Sequence, residues 1–345
     1  MKRTFFFLMA LLVLTAATPD KTTTIFVIGD STAANKDISG GKQERGWAMA
    51  LQAYFDDNIL IDNHAVNGRS SKSFINEGRW DKVLEKMKPG DYVIIQFGHN
   101  DEKPKADRHT DPGSTFDYNL AKFVRETREH GGIPVLMNCV VRRNFFVQAP
   151  ENDDDEKLRT QTFQDGVKMV EGDSLIDTHG LYRQAPRDVA QRMNCFFVDA
   201  NQITHDLEQG LGTEASKRLH MWFLPGTEPS EPKGKQDNTH YSIYGAHQVA
   251  RLLADAICQE IPVLKAYRTD ADITVDAKGR GQYLDLASAI AAAQASSKTE
   301  TTIQILGGEW ENPNCPKSQG SGLFFVREHP GNKTNKAILK IALFV

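Results

Sequence analysis

The sequence predicts an α/β protein in which one parallel sheet lies between two helical layers, three layers in all. Two observations carry this prediction. Short apolar runs alternate with segments of helical period from residue 24 to about residue 260, and several runs are continuously apolar, as strands covered on both faces must be. Strand, helix, strand repeated in this way implies right-handed crossovers and parallel pairing. In such sheets ligands collect beyond the carboxyl ends of the strands. Two ends here turn abruptly polar, Gly29-Asp30-Ser31 after the first run and Gly98-His99-Asn100-Asp101 after the third.

The elements follow in order. Lys2 and Arg3 precede an apolar run, 5–14, closed by Thr15-Ala16-Ala17. A basic start, a short apolar stretch and small residues form a secretory signal, and the run falls well short of the ~20 residues a membrane span needs. Residues 1–17 are therefore expected to be a signal peptide. No cysteine follows to take a lipid, so the mature chain is expected to be secreted or periplasmic, without membrane insertion after cleavage. Strands are predicted over 25–28, 59–61, 92–97, 133–137 and 196–198. Helices are predicted near 46–55, 79–87, 116–130, 185–193 and 206–218, with a last one over 242–259 whose Val249, Leu252, Leu253, Ala256 and Ile257 share a stripe.

After Ile261-Pro262 the pattern changes. A strand at 272–275, a turn at 278–281, a short Ala-rich helix over 284–295 and a strand at 302–306 lead to a final apolar strand, 337–345, with nothing after it to pair with. Residues 263–345 read as a separate, incomplete module beside a main domain spanning 24–262.

Bulk properties narrow the function. A net charge of -4 leaves no basic excess to neutralise phosphates, which argues against a nucleic-acid partner. The four cysteines, Cys139, Cys195, Cys258 and Cys315, share no metal-ligand spacing. Export permits disulfides in any of three pairings, yet most of the four read as small buried hydrophobes. The acidic run 153–155 lacks the spaced ligands of a calcium loop and reads as a solvated turn. No metal site and no cofactor are expected.

A serine at a strand end either starts a helix or is presented as a nucleophile. A nucleophilic serine needs a base to take its proton and a third group to fix that base's tautomer. Among ten histidines, His64, His130, His179, His205 and His220 have no obvious acidic partner in sequence. His240 does: Asp237 lies three residues earlier, just before the last helix, a spacing that lets the two face one another across a tight turn. An aspartate there is also a common helix cap. Acyl transfer further requires donors where negative charge develops on the carbonyl oxygen. Gly68, in "AVNGRSSKSF", offers a bare backbone N–H after the second strand, and Asn100 offers a side-chain amide after the third.

Gly29-Asp30-Ser31, Gly68, Asn100 and Asp237-x-x-His240 fall in the order of the four blocks of the SGNH (GDSL-type) hydrolases, which the chain resembles over about its first three quarters. "GDSTAA", "NGRSSKSFINEGRW", "QFGHND", "RRNF", "LHMWF" and "PKGKQDNTHYSIYGAHQVA" are most similar to rhamnogalacturonan acetylesterases. The resemblance implies a flavodoxin-like α/β/α sheet, Ser31 as nucleophile, His240 as base, Asp237 as its orienter, and an oxyanion hole made by the Ser31 and Gly68 N–H groups and the Asn100 amide. It implies an acetylated polysaccharide, pectin, as the partner. The alternatives are an SGNH esterase acting on xylan acetates, lipids or thioesters, and a polysaccharide-binding protein with a vestigial site. Arg69, Arg79 and Arg143, with Lys72 and Arg142, are candidates to meet uronate carboxylates, and Trp80 or Trp47 to stack on a sugar. "DITVDAKGRGQYLDLASAIAAAQ" followed by "TTIQILGGEWENP" resembles the opening of a pectin methylesterase-like right-handed β-helix, too short to stack the coils a solenoid needs.

Overall fold

A computed structural model describes residues 22–145, 172–298, 300–306, 323–324 and 337–342. The signal-peptide reading, the acidic run 153–155 and Cys315 lie outside the described residues.

Five strands form the central sheet: β1 (Thr23–Gly29), β3 (Ile59–Asn63), β4 (Tyr92–Gln96), β5 (Ile133–Met137) and β6 (Phe196–Val198), in the order β3-β1-β4-β5-β6. Every pairing is parallel. The chain winds outward in both directions from β1 and β4, which makes the gap between these two strands the topological switch point.

Alternate strand residues feed two cores. Ile25, Val27, Ile94, Val135 and Met137 face Trp47, Leu51, Val249, Leu253 and Ile257 on one side. Phe26, Ile28, Val93, Ile95 and Leu136 face Phe74, Trp80, Phe116, Phe123 and Val189 on the other. Both faces of the three inner strands β1, β4 and β5 are dry, which is why these strands read as unbroken apolar runs, while the edge strands β3 and β6 are partly exposed.

The layers are α1 (Trp47–Ala50), α2 (Ser71–Asn76), α3 (Arg79–Leu84), α4 (Thr115–Glu129), α5 (Leu181–Met193), α6 (Ala200–Ala215) and α7 (Ile243–Glu260). The expected helix over 46–55 divides into α1 and a 3₁₀ turn, Leu51–Tyr54.

A three-stranded antiparallel sheet is the largest departure from expectation. β2 (Glu44–Arg45) and β7 (His220–Phe223) flank β8 (Lys235–Ser242). Opposite β7 the ladder of β8 is irregular, His220 pairing with Tyr241 and Trp222 with Gln236. Residues 237–240 therefore bulge opposite Met221 alone.

Beyond α7, β9 (Ile273–Val275), β10 (Glu300–Ile305), β11 (Leu323–Phe324) and β12 (Ala337–Ala342) form a further sheet in the order β11-β12-β10-β9, with α8 (Leu286–Gln294) packed against it. β12 does not dangle: it lies antiparallel to both β10 and β11. Only β9 and β10 run parallel, so the sheet is mixed, where β-helix coils would add parallel strands, and the β-helix reading gains no support. Ile273, Val275, Leu286, Ala289, Ile303 and Ile305 make a small core of their own. The segment nonetheless leans on the main domain: Arg45 Nε donates to the Gly279 carbonyl (3.1 Å), and Leu306 joins the first large core.

Candidate active site

β1 and β4 converge so closely that a Cβ on Gly29 would stand 2.7 Å from the Gln96 carbonyl. Only glycine fits there, and the chain turns at once. Asp30, fully buried, shapes the turn: Oδ1 accepts from the Thr32 backbone N–H (2.9 Å) and the Thr32 hydroxyl (2.8 Å). The Trp47 N–H donates to the Thr32 carbonyl (2.9 Å) from below. The result is a rigid elbow with Ser31 at its tip.

The bulge of β8 brings the other chain segment to Ser31. Ser31 Oγ and His240 Nε2 lie 2.8 Å apart, and His240 Nδ1 lies 2.9 Å from Asp237 Oδ2. Asp237 Oδ1 accepts from the backbone N–H groups of Thr239 and His240, both at 2.9 Å. Burial alone would raise the Asp237 carboxyl, but His240 and these hydrogen bonds outweigh it and hold it well below the usual carboxylate range. A carboxylate on Nδ1 keeps that nitrogen protonated and leaves Nε2 as the acceptor facing the serine hydroxyl.

The two expected donors flank the same tip. The loop after β3 docks on β1 through Val66 N–H to the Gly29 carbonyl (3.0 Å), and Gly68 there has φ +74°, in the left-handed region that favours glycine. Asn100 Nδ2 donates to the Arg69 carbonyl (3.2 Å), and its Oδ1 accepts from Arg108 Nη1 (3.3 Å). Asp101, fully buried, ties the two loops together. It accepts from the Ser71 hydroxyl (2.5 Å), both of its oxygens from the Ser71 N–H (3.1 Å), and Oδ1 from the Thr110 hydroxyl (2.8 Å). Burial pushes its carboxyl up to about 7.

Ser31, Gly68, Asn100, Asp237 and His240 all line one cleft of about 560 Å³. Five cations also line it, Lys36, Arg69, Lys103, Arg108 and Lys235, against two carboxylates, Glu44 and Asp237. On a chain that is net negative, this is a local electropositive trough. Lys36 is anchored to Glu44 and Asn67 Oδ1, both at 2.7 Å, and its burial lowers the ammonium pKa. His99 is buried in the wall, where desolvation pushes its imidazole well below the ordinary range and leaves it neutral. Among the described residues no group of three or more His, Cys, Asp or Glu side chains is arranged to hold a metal ion.

Several expected substrate contacts are not where the sequence suggested. Trp80 is 1% exposed, donates to Glu126 Oε2 (2.7 Å) and meets Phe123 edge-on, so it is core and unable to stack on a sugar. Trp47 is equally buried. Arg143 is 0% exposed: it donates to Ser216 Oγ (2.9 Å) and Asn238 Oδ1 (3.1 Å) and lies over the Phe145 and Trp222 rings. It braces the strand that carries His240 from behind. Arg142 is buried against Glu102. Arg79 pairs with Glu77, Lys72 Nζ donates to the Ala106 carbonyl, and neither lines the cleft. Of the named candidates, Arg69 alone does.

The charged and imidazole lining residues that the sequence did not single out are Lys36, Glu44, His99, Lys103, Arg108 and Lys235, with Asn67 and Thr239 as further polar lining. Lys235 sits two residues before Asp237 and His99 one before Asn100, so proximity to the blocks was a usable signal for both. The expectation that five histidines lack an acidic partner in sequence is corrected at two of them, His64 lying 3.2 Å from Asp62 Oδ2 and His205 3.3 Å from Asp206 Oδ1, while His220 and His179 meet carboxylates remote in sequence, Glu208 at 2.8 Å and Glu102 at 2.9 Å. Cys139 and Cys258 are buried and Cys195 half-buried, all three as free thiols.

Comparison with known proteins follows the same lines. Residues 27–242 match the GDSL-like lipase/acylhydrolase family. Rhamnogalacturonan acetylesterase RhgT of Bacillus subtilis (strain 168) is 36% identical over 233 residues, covering 68% of this chain and 88% of that protein. Probable rhamnogalacturonan acetylesterase YesY of the same organism is 25% identical over 237 residues, covering 68% and 91%. The solved structure of Bacillus subtilis YxiM superposes with a TM-score of 0.52 at 23% identity, over 69% of this chain and 57% of that one, a likeness of fold.

Proposed function

The chain belongs to the GDSL-like lipase/acylhydrolase family and is a carboxylic ester hydrolase, and on that premise we propose that it is an exported carbohydrate esterase that removes acetyl groups from rhamnogalacturonan through a Ser31 acyl-enzyme. The observation that carries the mechanism is the 2.8 Å approach of Ser31 Oγ to His240 Nε2, with Asp237 on the far side of the ring.

In this reading His240 takes the hydroxyl proton as Ser31 Oγ bonds to the acetyl carbon. The carbonyl oxygen gains the negative charge, received by the Ser31 and Gly68 N–H groups and the Asn100 amide. Collapse expels the sugar oxygen, which leaves with the proton from His240. Water then attacks the acetyl-serine by the same route, releasing acetate and restoring the hydroxyl. No redox step or metal is invoked.

Two things support a uronate-bearing polymer as substrate. The relatives' names specify rhamnogalacturonan, and five cations line a cleft whose chain is net negative. A charged lining offers little to a long acyl chain, which would bury apolar carbon against ammonium groups. The signal-like pattern of residues 1–17, a basic start, a short apolar run and small residues, supports export. The described residues beyond 262 enter this proposal as a packing partner only.

The test is acetate release from acetylated rhamnogalacturonan, acetylated xylan and aryl esters of short and long acyl chain. Ser31→Ala is expected to abolish release. Wild-type turnover by Ser31→Ala refutes the mechanism, and a preference for long acyl chains refutes the acetylesterase assignment.

A further inference from the structure

We propose that Arg108 is a positioning residue of the acyl-oxygen site, setting which end of the Asn100 amide faces the substrate; this rests on the esterase reading above. A carboxamide has two ends of nearly equal size and opposite character. Only Nδ2 can donate to a developing oxyanion, whereas Oδ1 in the same place would repel it. Something must therefore choose the rotamer.

Two contacts choose it. Arg108 Nη1 donates to Oδ1 (3.3 Å), and Nδ2 donates to the Arg69 carbonyl (3.2 Å). If the amide flipped, its NH₂ would face a guanidinium, which has no acceptor, and its oxygen would face a carbonyl. Two favourable contacts would become two repulsive ones. Nδ2 carries two hydrogens, and the Arg69 carbonyl takes one, which leaves the other for the acyl oxygen. Asn100 is 4% exposed, so water is poorly placed to substitute for either contact.

The loop that presents the guanidinium is itself held in place. The Arg108 backbone N–H donates to the Lys105 carbonyl (3.0 Å), and Thr110, two residues on, is bound through its N–H to the Asp101 carbonyl (3.1 Å), while Nε of the guanidinium lies 4.0 Å from Asp107 Oδ1. Nη1 also lies 4.0 Å from where a Cβ on Gly68 would stand. One planar cation thus borders both expected donors. Arg108 is also a candidate to bind a uronate carboxylate, and the experiment must separate these roles.

The experiment compares wild type, Arg108→Met, Asn100→Ala and the double variant on a neutral aryl acetate, which carries no carboxylate, and on acetylated rhamnogalacturonan. On the aryl acetate, Arg108→Met is expected to lower kcat about 10- to 100-fold, less than the ~10²–10³ of deleting a donor outright, with KM little changed. In the Asn100→Ala background the same substitution should cost less than about twofold, because the group it positions is gone. A fully additive loss there overturns the proposal. So does an unchanged kcat on aryl acetate with KM raised only for the polymer, which makes Arg108 a uronate contact. Should Arg108→Met not fold, as a thermal melt reads directly, Arg108→Ala, which likewise offers no donor to Asn100 Oδ1, carries the same comparison. Wild-type protein that turns over neither substrate refutes the esterase reading itself, and the role assigned here falls with it.

Discussion

Replacing Asp237 with asparagine tests the proton logic of the site with a near-isosteric change. Asp237 Oδ1 accepts two backbone N–H groups, from Thr239 and His240, each at 2.9 Å. An asparagine must keep its oxygen there, since turning NH₂ toward two N–H donors would cost both hydrogen bonds. Its Nδ2 then occupies the place of Oδ2, 2.9 Å from His240 Nδ1. Two donors cannot share that contact, so the imidazole moves its proton to Nε2. That nitrogen faces Ser31 Oγ at 2.8 Å and now donates where it must accept. The serine loses its base while the bulge keeps its shape. By comparison with the wrong-tautomer penalty in serine hydrolases, kcat should fall about 10⁴-fold, roughly 5 kcal/mol of barrier. The assay is kcat and KM on an aryl acetate near neutral pH, paired with a thermal melt. A kcat within tenfold of wild type, or a loss confined to KM, refutes the assignment of Asp237.

Two further predictions concern the scaffold. Trp80→Ala should destabilise the fold by about 3–5 kcal/mol, because a fully buried indole is lost together with its contact to Phe123; in urea titration the midpoint drops while KM for the polymer in folded enzyme is unchanged, and a raised KM with intact stability would restore Trp80 as a sugar contact. Glu102 is expected to contribute to acid sensitivity. Burial opposes its ionisation, but Arg142 and His179 outweigh that and hold its carboxyl at about 2. A depressed carboxylate contributes stability above its ordinary range near 4.5 and loses it as pH falls toward 2. The wild type should therefore lose roughly 3 kcal/mol through this group across that window, and Glu102→Gln should flatten this part of the profile; equal acid slopes in the two proteins refute the pairing.

How far the sequence speaks depends on whether a residue's environment is local. β1 and β4 announce themselves because each is apolar on both faces and ends in a polar break, and Ser31 and Asn100 follow at those ends. His240 was legible because its carboxylate lies three residues away. β8 was not, since "KQDNTHYS" carries no alternation of apolar and polar residues, and its pairing with β2 and β7 is decided by tertiary contact. Arg143 looks like a loop cation in sequence, yet Trp222 of the remote β7 covers it together with Phe145 of its own loop. Trp80 likewise reads as a surface aromatic until α4 supplies Phe123 and Glu126. Glu44 and Arg108 reach the cleft through folds of chain that no short motif records.

The antiparallel partnership of β2 and β8 also bears on where the gene can be cut. Arg45, 2% exposed, is adjacent to Glu44 in the cleft and opposite Tyr241 in the ladder, and its Nε is held by the Gly279 carbonyl. Upstream of that, Asp56 N–H donates to the Tyr267 carbonyl (2.9 Å) and Thr269 N–H to the Tyr54 carbonyl (3.1 Å). A protein shortened to residue 262 would bare these groups and leave a buried guanidinium short of an acceptor one residue from the reaction chamber. A fragment ending at residue 262 is therefore expected to be less stable than the full chain, so a dissection at that boundary should be read by thermal melt before activity is scored.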